Sequence, residues 1–293
     1  MVKSIDIEKA RILMPKRVQN SNKATFGKVL NIAGSKYYQG AAYLSSISAM
    51  LIGAGYSTLA CPDCIINNIA SLSPNLTFFP LRSFNGESIA ADNAKLILEK
   101  TEEYDVISLG CGISTTSSTL EFVGTFLEKY KGEKPLVIDA DGLNSIVVLE
   151  IKKLPQNTLI TPHPKELARL LGDENVDINS DREFYAKEAV KKFGVTVLLK
   201  GQNTVITDGN ELYINKTGNS ALAKAGTGDV LTGIISGLIA QKLSIIEAAT
   251  LGAFIHGITG ELASKKLTEY STLASDLLEF IPEAIKKIQQ IEQ

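Results

Sequence analysis

Residues 196–214 read TVLLKGQNTVITDGNELYI, and the pattern of the chain changes within this stretch. Thr196–Leu199 is a short apolar run without alternation, as expected for a strand that is buried on both faces of a parallel sheet. Beyond Lys200, the segments Thr204–Thr207 and Glu211–Ile214 flank an Asp-Gly pair, which is a strong signal for a β-hairpin. The stretch therefore predicts that the last strand of a parallel sheet passes directly into a hairpin.

Upstream of this stretch, strand-like and helix-like segments alternate along the chain. The other strand candidates are short apolar runs, namely Val29–Ala33, Ser57–Ala60, Thr77–Pro80, Val106–Leu109, Leu136–Asp139 and Thr158–Thr161. The helix candidates that lie among them are Ala41–Ile52, Ala90–Lys100, Leu120–Lys129, Pro164–Leu171 and Asp181–Phe193. This rhythm predicts an α/β fold with a mostly parallel central sheet, helices on both faces and a late β-hairpin.

Downstream of the hairpin, the pattern becomes helical. Helices are predicted over Asp229–Gln241, Ile245–Ser264 and Ala274–Gln290. No Pro/Ser-rich linker, low-complexity tract or internal repeat interrupts the sequence. We therefore expect a single domain over residues 1–293, in which the charged residues 1–20 form a loosely packed N-terminal arm.

Composition narrows the class of protein. The chain is 44% hydrophobic and 21% charged with a net charge of −2, which gives no indication of binding to nucleic acid or to an anionic membrane. The first thirty residues lack the apolar run of a signal peptide, and the longest apolar stretch, Val230–Ala240, is too short to span a bilayer. Within it, the G-x-x-x-G spacing of Gly233 and Gly237 predicts close packing of a helix on the sheet. A cytoplasmic location is the expectation.

The segment that is richest in chemistry, Gly218–Asp229, reads GNSALAKAGTGD and joins the hairpin to an apolar helix. Gly226 and Gly228 lack a Cβ, so a ligand can approach the backbone, and Thr227 supplies a hydroxyl. The free N–H groups of a helix's first turn favour an anion. The spacing differs from that of a Walker A loop. We predict an anion-binding loop made of Gly226, Thr227 and Gly228.

Asp229 lies directly beside this predicted loop, where a carboxylate would repel a bound phosphate. One interpretation is structural, because Asp is a favoured residue at a helix N-cap. The other is that the carboxylate faces a substrate hydroxyl and takes its proton during attack on phosphorus, which removes the conflict. We favour Asp229 as a catalytic base, a role that capping does not exclude.

A lysine follows the last parallel strand, at the edge of the sheet where open α/β folds bind ligands. Lys200 could meet nucleotide phosphates, and the residues of this turn are Lys200, Gly201, Gln202, Asn203 and Thr204. A solvated turn is an equally good interpretation.

A histidine lies at another junction between a strand and a helix. Pro162 and Pro164 stiffen the backbone on either side of His163, which is one of only two histidines in the chain. A contact between His163 and the substrate is favoured over a capping role. The second histidine, His256, falls in an apolar helix and is predicted to be a core or interface residue.

Two carboxylates end the strand candidate Leu136–Asp139. If the strand continued, Asp139 and Asp141 would lie on the same side and could hold Mg²⁺ through water molecules. Turn and capping chemistry explains the pair equally well.

Small residues mark two further positions. Ser108–Thr115 contains a Gly-x-Gly turn in which Gly112 could admit a ligand, and Gly40–Ala42 opens a helix where Ala41 leaves room for one. Close packing of helix on sheet also needs small residues, so neither signal is specific.

Taken together, these segments resemble the bacterial ADP-dependent NAD(P)H-hydrate dehydratases of the ribokinase-like superfamily. The segments that carry the resemblance are Ile32–Ser35 with Gly40–Ala42, Val137–Asn144, Thr161–Glu166, Lys200–Thr204 and Ala225–Asp229. It runs from about Gly27 to Pro282, and the AGTGD, TPHP and GAA motifs together are more specific than AGTGD alone.

The resemblance implies a repair reaction on NADHX and NADPHX, which are NADH and NADPH with a hydroxyl on the hydrated nicotinamide ring. The hydroxyl is phosphorylated by ADP, or by ATP in eukaryotic relatives, and loss of phosphate restores NAD(P)H and leaves AMP. The residues implied to contact the dinucleotide are Ala41, Gly112, His163 and Asp229. Those implied to contact the adenine nucleotide are Lys200 to Thr204 and Gly228, with Mg²⁺ bridging the phosphates.

The resemblance also implies a homo-oligomer, often a tetramer, and an epimerase partner that would be a separate chain. This sequence departs from the family pattern at Lys165, Ser114 and Lys224, and these changes could alter the affinity for nucleotide or substrate.

Two alternative functions remain. One is a ribokinase-like small-molecule kinase, such as a hydroxyethylthiazole or hydroxymethylpyrimidine kinase, and the other is a non-catalytic nucleotide-binding regulator.

Overall fold

One ten-stranded sheet forms the centre of the computed structural model, which describes residues 2–290. The strands are β1 (Val2–Ser4), β2 (Lys28–Ile32), β3 (Tyr56–Pro62), β4 (Thr77–Leu81), β5 (Ser83–Phe84), β6 (Ser88–Ile89), β7 (Val106–Leu109), β8 (Leu136–Ile138), β9 (Thr158–Ile160), β10 (Thr196–Leu199), β11 (Thr204–Thr207) and β12 (Leu212–Asn215). The strand order is β1-β12-β11-β10-β9-β8-β7-β2-β3-β4, and β5 and β6 form a separate small hairpin.

The helices cover both faces of the sheet. They are α1 (Ile7–Leu13), α2 (Gln39–Leu51), α3 (Ile66–Ala70), α4 (Asn93–Lys100), α5 (Ser117–Lys129), α6 (Asp141–Val148), α7 (Pro164–Leu171), α8 (Arg182–Phe193), α9 (Thr227–Ala240), α10 (Ile245–Leu267) and α11 (Ala274–Gln289). All pairings in the large sheet are parallel except those of β11, which runs antiparallel to β10 and to β12. The predicted α/β fold with a late hairpin is confirmed.

The central strands are apolar on both faces, because each face carries a helical layer. In β7, Val106 packs into the core cluster shared with α9, α10 and α11, and its neighbour Ile107 packs into the cluster shared with α4 to α8. Successive side chains of a strand point to opposite faces, so two buried faces require an unbroken apolar run. This explains why the strand candidates show no alternation.

The first residues of the chain do not form a loosely packed arm. Val2–Ser4 adds a parallel strand beside β12, and α1 packs against α10 and α11 with Ala10 fully buried. Asp6 caps α1 by accepting a hydrogen bond from the Lys9 N–H at 2.8 Å. The prediction of a loosely packed arm was therefore wrong for residues 2–13, because a three-residue strand is too short to show an alternating pattern in the sequence. Residues 16–20 are exposed. Met1 lies outside the described residues.

Gly233 and Gly237 permit close packing, although the partner is helix α2 and not the sheet. A Cβ on Gly233 would lie 2.2 Å from the carbonyl oxygen of Ser45, and one on Gly237 would lie 2.7 Å from that of Ala49.

We expect Gly233→Ala to destabilise the protein by about 3 kcal/mol, because two backbones would have to move apart. Gly40→Ala is the matched control, since nothing lies within 4 Å of its Cβ. Urea unfolding measures both, and equal stability of the two variants would contradict the packing.

Candidate active site

The carboxyl ends of β8, β9 and β10 open into a cavity of about 900 Å³. Three strand-end residues line it, Asp139 after β8, His163 after β9 and Lys200 after β10. The turn that follows Lys200 and the start of α9 form further parts of the wall, contributing Gly201, Gln202, Asn203, Thr204, Gly226, Thr227, Gly228 and Asp229. The structure thus brings all of the predicted nucleotide-binding residues to one cavity.

Ala41 and Gly112 are not part of the cavity wall, but they lie against each other beside it. A Cβ on Gly112 would lie 2.9 Å from the Cβ of Ala41 and 2.6 Å from that of Tyr38, and the backbone of Gly112 has a φ of +65°. The preceding residue, Cys111, has a buried thiol that is close enough to the Asp229 carboxylate to influence its pKa. Of the four predicted dinucleotide contacts, Asp229 and His163 thus line the cavity, and Asp229 is also near the residue that precedes Gly112.

The first turn of α9 faces the cavity through its backbone. Gly226 is the N-cap with a left-handed φ of +92°, so the helix begins at Thr227. The Thr227 hydroxyl donates to the carbonyl oxygens of Leu222 and Lys224, at 2.8 and 2.9 Å, and so closes the loop from within. Because Asp229 lies inside this first turn and Gly226 is the N-cap, the capping interpretation of Asp229 does not hold.

A lysine and a carboxylate form a partly buried ion pair at the centre of the site. Lys200 Nζ lies 2.6 Å from Asp139 Oδ1 and 3.8 Å from Glu166 Oε2, and its side chain is only 18% exposed. Thr232 donates a hydrogen bond to Asp139 Oδ2 at 2.7 Å. Burial lowers the pKa of Lys200, but Asp139 and Glu166 outweigh it and the net pKa is raised. The lysine is therefore fully charged at neutral pH and available to an anion.

The Asp229 carboxylate has the pKa of a base that works near neutral pH. Burial and the negative charge of Asp139 raise its pKa to about 6, against the opposing effects of the Cys111 thiol and Lys200. A carboxylate with a pKa near the working pH accepts a proton more readily than one at its ordinary value, and it is still ionised at pH 7.

His163 is held in a single tautomer by the start of α7. Its Nδ1 accepts a hydrogen bond from the Glu166 N–H at 3.2 Å, and Glu166 Oε2 accepts one from the His163 N–H at 2.7 Å. Burial, Lys200 and Arg169 lower the pKa of His163 to about 4, so the ring is neutral and its proton is on Nε2. This nitrogen is 3.5 Å from Glu166 Oε1, and the side chain is 46% exposed. His163 can therefore donate a hydrogen bond to a ligand but is a poor base.

The two carboxylates predicted to hold Mg²⁺ do not lie on one continuous strand. Strand β8 ends at Ile138 and Ala140 has a φ of +49°, so Asp141 begins helix α6 instead of continuing the strand. Its carboxylate accepts hydrogen bonds from the Ser114 N–H at 2.8 Å and the Asn144 amide at 3.1 Å. Within residues 2–290, no group of three or more His, Cys, Asp or Glu side chains could hold a metal ion. The strand continuation on which the Asp139–Asp141 site was based is therefore absent, and a magnesium ion held by this pair through water stays a prediction.

Sequence reasoning missed two residues of the site. Glu166 links His163 to Lys200. The sequence signal for Glu166 was its position three residues after His163, the N-cap of α7, which is the spacing of a capping box. His256 is buried, as predicted for a core residue, with only 8% exposed, and it also lines the cavity. Its apolar surroundings in α10 gave no sign of this.

The three departures from the family pattern have different structural contexts. Ser114 has a φ of +65°, a conformation that glycine adopts without strain. Lys224 lines the cavity, and its ammonium group donates to the Tyr270 carbonyl oxygen. Lys165 is exposed in the first turn of α7. None of the three displaces Asp229 or Lys200.

No helix within residues 2–290 is long and apolar enough to cross a membrane.

Comparison with known proteins gives consistent matches. A family model described as NAD(P)H-hydrate dehydratase matches residues 29–283. The chain is 35% identical over 285 residues to a bifunctional NAD(P)H-hydrate repair enzyme of Moorella thermoacetica, covering 96% of this chain and 53% of that protein. It is 34% identical over 272 residues to an ADP-dependent (S)-NAD(P)H-hydrate dehydratase of Neisseria meningitidis, covering 89% and 84%. The chain thus spans about half the length of the bifunctional relatives.

A solved structure agrees with these matches. An ADP/ATP-dependent NAD(P)H-hydrate dehydratase of Bacillus subtilis, co-crystallised with ATP and Mg²⁺, superposes with a TM-score of 0.83 at 30% identity. The match covers 98% of this chain and 99% of that one.

Proposed function

This chain belongs to the NAD(P)H-hydrate dehydratase family, as the resemblance predicted, and from that premise we propose that it dehydrates NADHX and NADPHX at the expense of ADP. The observation that carries the proposal is the position of Asp229. Asp229 lies in the first turn of α9, which lines the cavity, and its carboxylate is near Cys111, the residue before Gly112. A proton acceptor beside a phosphate site is what phosphorylation of a hydroxyl requires.

The proposed reaction has two steps. In the first step, Asp229 takes the proton of the ring hydroxyl, and the hydroxyl oxygen attacks the β-phosphorus of ADP. The bond between that phosphorus and AMP breaks as the new bond forms. The ring carbon–oxygen bond then breaks as phosphate leaves, and loss of a proton from the adjacent ring carbon restores the double bond of NAD(P)H. The sum converts NAD(P)HX and ADP to NAD(P)H, AMP and phosphate.

The other site residues stabilise and orient the reactants. The backbone N–H groups at the start of α9 and the Lys200 ammonium group face the charge that develops on the transferred phosphoryl group. His163 donates from Nε2 to an oxygen of the dinucleotide, because its Nδ1 is occupied by the Glu166 N–H. His163 therefore positions the substrate and leaves Asp229 to accept the proton.

Mg²⁺ is proposed to arrive with the phosphates of the nucleotide, as the Mg²⁺ in the co-crystals of the Bacillus subtilis relative suggests. The two carboxylates predicted to hold the ion are already hydrogen-bonded, Asp139 by Lys200 and Thr232 and Asp141 by Ser114 and Asn144. We assign no protein ligand to the ion.

The proposed function is tested by incubating the protein with NADHX, Mg²⁺ and either ADP or ATP, and by following the absorbance of reduced nicotinamide at 340 nm. We expect recovery of the absorbance with ADP, accompanied by AMP and phosphate. Faster recovery with ATP would correct the choice of nucleotide. A lasting phosphorylated product from a vitamin precursor would favour the kinase alternative. Tight nucleotide binding without turnover of any hydroxyl substrate would favour the regulator.

The rate should depend on pH through Asp229. The carboxylate must be ionised to accept a proton, and burial raises its pKa to about 6, so kcat/KM should fall as the pH drops through about 6 and level off above 7. The two histidines do not contribute in this window, since the pKa of each is lowered to about 4. Initial rates at saturating ADP between pH 5.5 and 8 measure the profile. A flat profile would argue against Asp229 as the base.

Two features of the assembly complete the proposal. The name of the Neisseria meningitidis relative specifies the S epimer, so we propose that an epimerase supplies this epimer to the protein.

We also propose that the chain forms a homo-oligomer, and a tetramer in particular. Light scattering during gel filtration tests the assembly, and a monomer would refute it.

A further inference from the structure

An arginine outside the cavity wall holds the backbone of the turn that follows β10. Arg182, the first residue of α8, donates hydrogen bonds from Nη2 to the Leu199 carbonyl oxygen at 2.9 Å and to the Lys200 carbonyl oxygen at 3.1 Å. Its Nη1 donates to Asn179 Oδ1 at 2.9 Å. Lys200 and Gly201 line the cavity and Arg182 does not, so Arg182 contacts this turn without being part of the wall.

This guanidinium group lacks the carboxylate partner that a partly buried arginine usually has. None of the ion pairs within residues 2–290 includes Arg182, and its Nε is buried without a hydrogen-bond partner. Arginine side chains are rarely buried unless they are paired. The hydrogen bonds of Arg182 are therefore those to the two carbonyl oxygens of the turn and to Asn179.

The two carbonyl groups show that the chain changes direction at Lys200. Successive carbonyl groups of an extended strand point in opposite directions, whereas those of Leu199 and Lys200 converge on one nitrogen atom. Gly201 follows with a φ of +138°, and a Cβ on it would lie 3.1 Å from both terminal nitrogens of Arg182. Arg182 therefore packs against the turn in addition to holding its carbonyl groups.

Holding the Lys200 carbonyl group also orients the N–H of Gly201. Both groups belong to one planar trans peptide unit, in which C=O and N–H point in opposite directions, so this N–H is directed away from Arg182. Within residues 2–290, nothing accepts a hydrogen bond from it. The Lys200 N–H, in contrast, donates to the Pro162 carbonyl oxygen at 2.8 Å. The turn is thus held on both sides of Lys200, and a free donor remains on a residue of the cavity wall.

We propose that Arg182 is a positioning residue for nucleotide binding, which holds the turn of Lys200 and Gly201 in its binding conformation before the nucleotide arrives. The inference rests on the proposed function, in which this turn contacts the adenine nucleotide. A turn that is already ordered loses less conformational entropy when a ligand binds, so the affinity is higher. Arg182 acts through the backbone of the turn and does not contact the nucleotide.

The inference is tested by calorimetric titration of ADP at fixed Mg²⁺ and without dinucleotide. Arg182→Met and Arg182→Gln both remove the guanidinium group, and each should weaken ADP binding by about 5- to 30-fold, the factor that corresponds to ordering the backbone of one residue. The factor should be the same at low salt and in about 0.5 M salt, where a long-range attraction by the guanidinium charge would be screened. Arg82→Met is the matched control, because this exposed arginine pairs with Asp92 on the surface, and it should bind ADP as the wild type does.

Hydrogen exchange followed by mass spectrometry tests the turn itself. In the ligand-free wild type, the Lys200 N–H should be protected because it donates to Pro162. In Arg182→Gln, exchange within residues 199–204 should become faster, and saturation with ADP should return it to the rate of the wild type.

Wild-type affinity for ADP in either folded variant would overturn the inference, and so would a loss of affinity that disappears at high salt. Fast exchange of the Lys200 N–H in the ligand-free wild type would also overturn it, whether or not the variants fold. Failure of ADP to bind to the wild type would remove the proposed function and this inference together. Weaker ADP binding by the variants, without turnover of NADHX by the wild type, would count against the proposed function and support the inference.

Discussion

Asp229→Asn should lower kcat by about 10³- to 10⁴-fold while ADP binds at least as tightly as in the wild type. The loss follows from removing the general base, whose contribution is typically 10²- to 10⁴-fold. The affinity for ADP should hold or improve, because an amide repels phosphate less than a carboxylate. Single-turnover kinetics with NADHX and calorimetric titration of ADP separate the two quantities. Asp92→Asn is the control, since this exposed carboxylate pairs with Arg82 on the surface.

The same substitution should stabilise the protein in a pH-dependent way. The pKa of Asp229 is about 6 in the folded state and close to its ordinary value of 3.8 when unfolded, so the folded state binds more protons between these values. Stability of the wild type therefore falls as the pH rises from about 4 to 6. Asp229→Asn removes this loss and should gain roughly 2–3 kcal/mol at pH 8 but little below pH 4. Near-wild-type turnover, or a gain that is independent of pH, would refute the role and environment assigned to Asp229.

Lys200→Met should reduce both stability and nucleotide affinity. The substitution leaves the Asp139 carboxylate, whose side chain is 2% exposed, without its countercharge, and breaking such a buried pair costs about 3–5 kcal/mol. The affinity for ADP should fall by about 10- to 100-fold, because a charged hydrogen bond to phosphate is lost. Urea unfolding and calorimetric titration measure these effects.

A double variant distinguishes the two roles of Lys200. Lys200→Met combined with Asp139→Asn removes both charges, so most of the stability should return while ADP still binds weakly. The exposed Lys100, which pairs with Glu103, provides the control Lys100→Met. If the double variant regained the affinity for ADP, Lys200 would have only a structural role.

The position of the site follows from the sequence because parallel strands end at one edge of a sheet. Asp139, His163 and Lys200 each come directly after a predicted strand, and the sheet brings all three to one cavity. The turn from Gly226 to Gly228 was recognisable because glycines before an apolar helix expose the backbone. The local pattern was therefore sufficient to place residues whose position depends on where a strand ends or a helix begins.

The errors arise where one residue changes the direction of the chain. The predicted pairing of Asp139 with Asp141 assumed that β8 continued for three more residues. The positive φ of Ala140 ends the strand and turns Asp141 towards Ser114. No periodic pattern encodes such a turn, and a shift of one residue in a strand reverses the face on which a side chain lies.

Other residues could not be assigned because tertiary packing alone places them. His256 lies in a helix that is almost entirely buried, and only the tertiary fold brings it to the cavity wall. Glu166 looks like an ordinary helix-capping residue until the fold brings Lys200 to within 3.8 Å of it. The strand Val2–Ser4 is recognisable only through its pairing with β12.

The most direct test of the account follows the oxygen of the substrate hydroxyl. NADHX prepared in H₂¹⁸O carries the label on its ring hydroxyl, and a single turnover with unlabelled ADP in unlabelled water is analysed by mass spectrometry of the phosphate. If Asp229 directs the hydroxyl oxygen to phosphorus, each phosphate released should contain one ¹⁸O atom. Unlabelled phosphate, with the label recovered in water, would contradict phosphorylation of the hydroxyl.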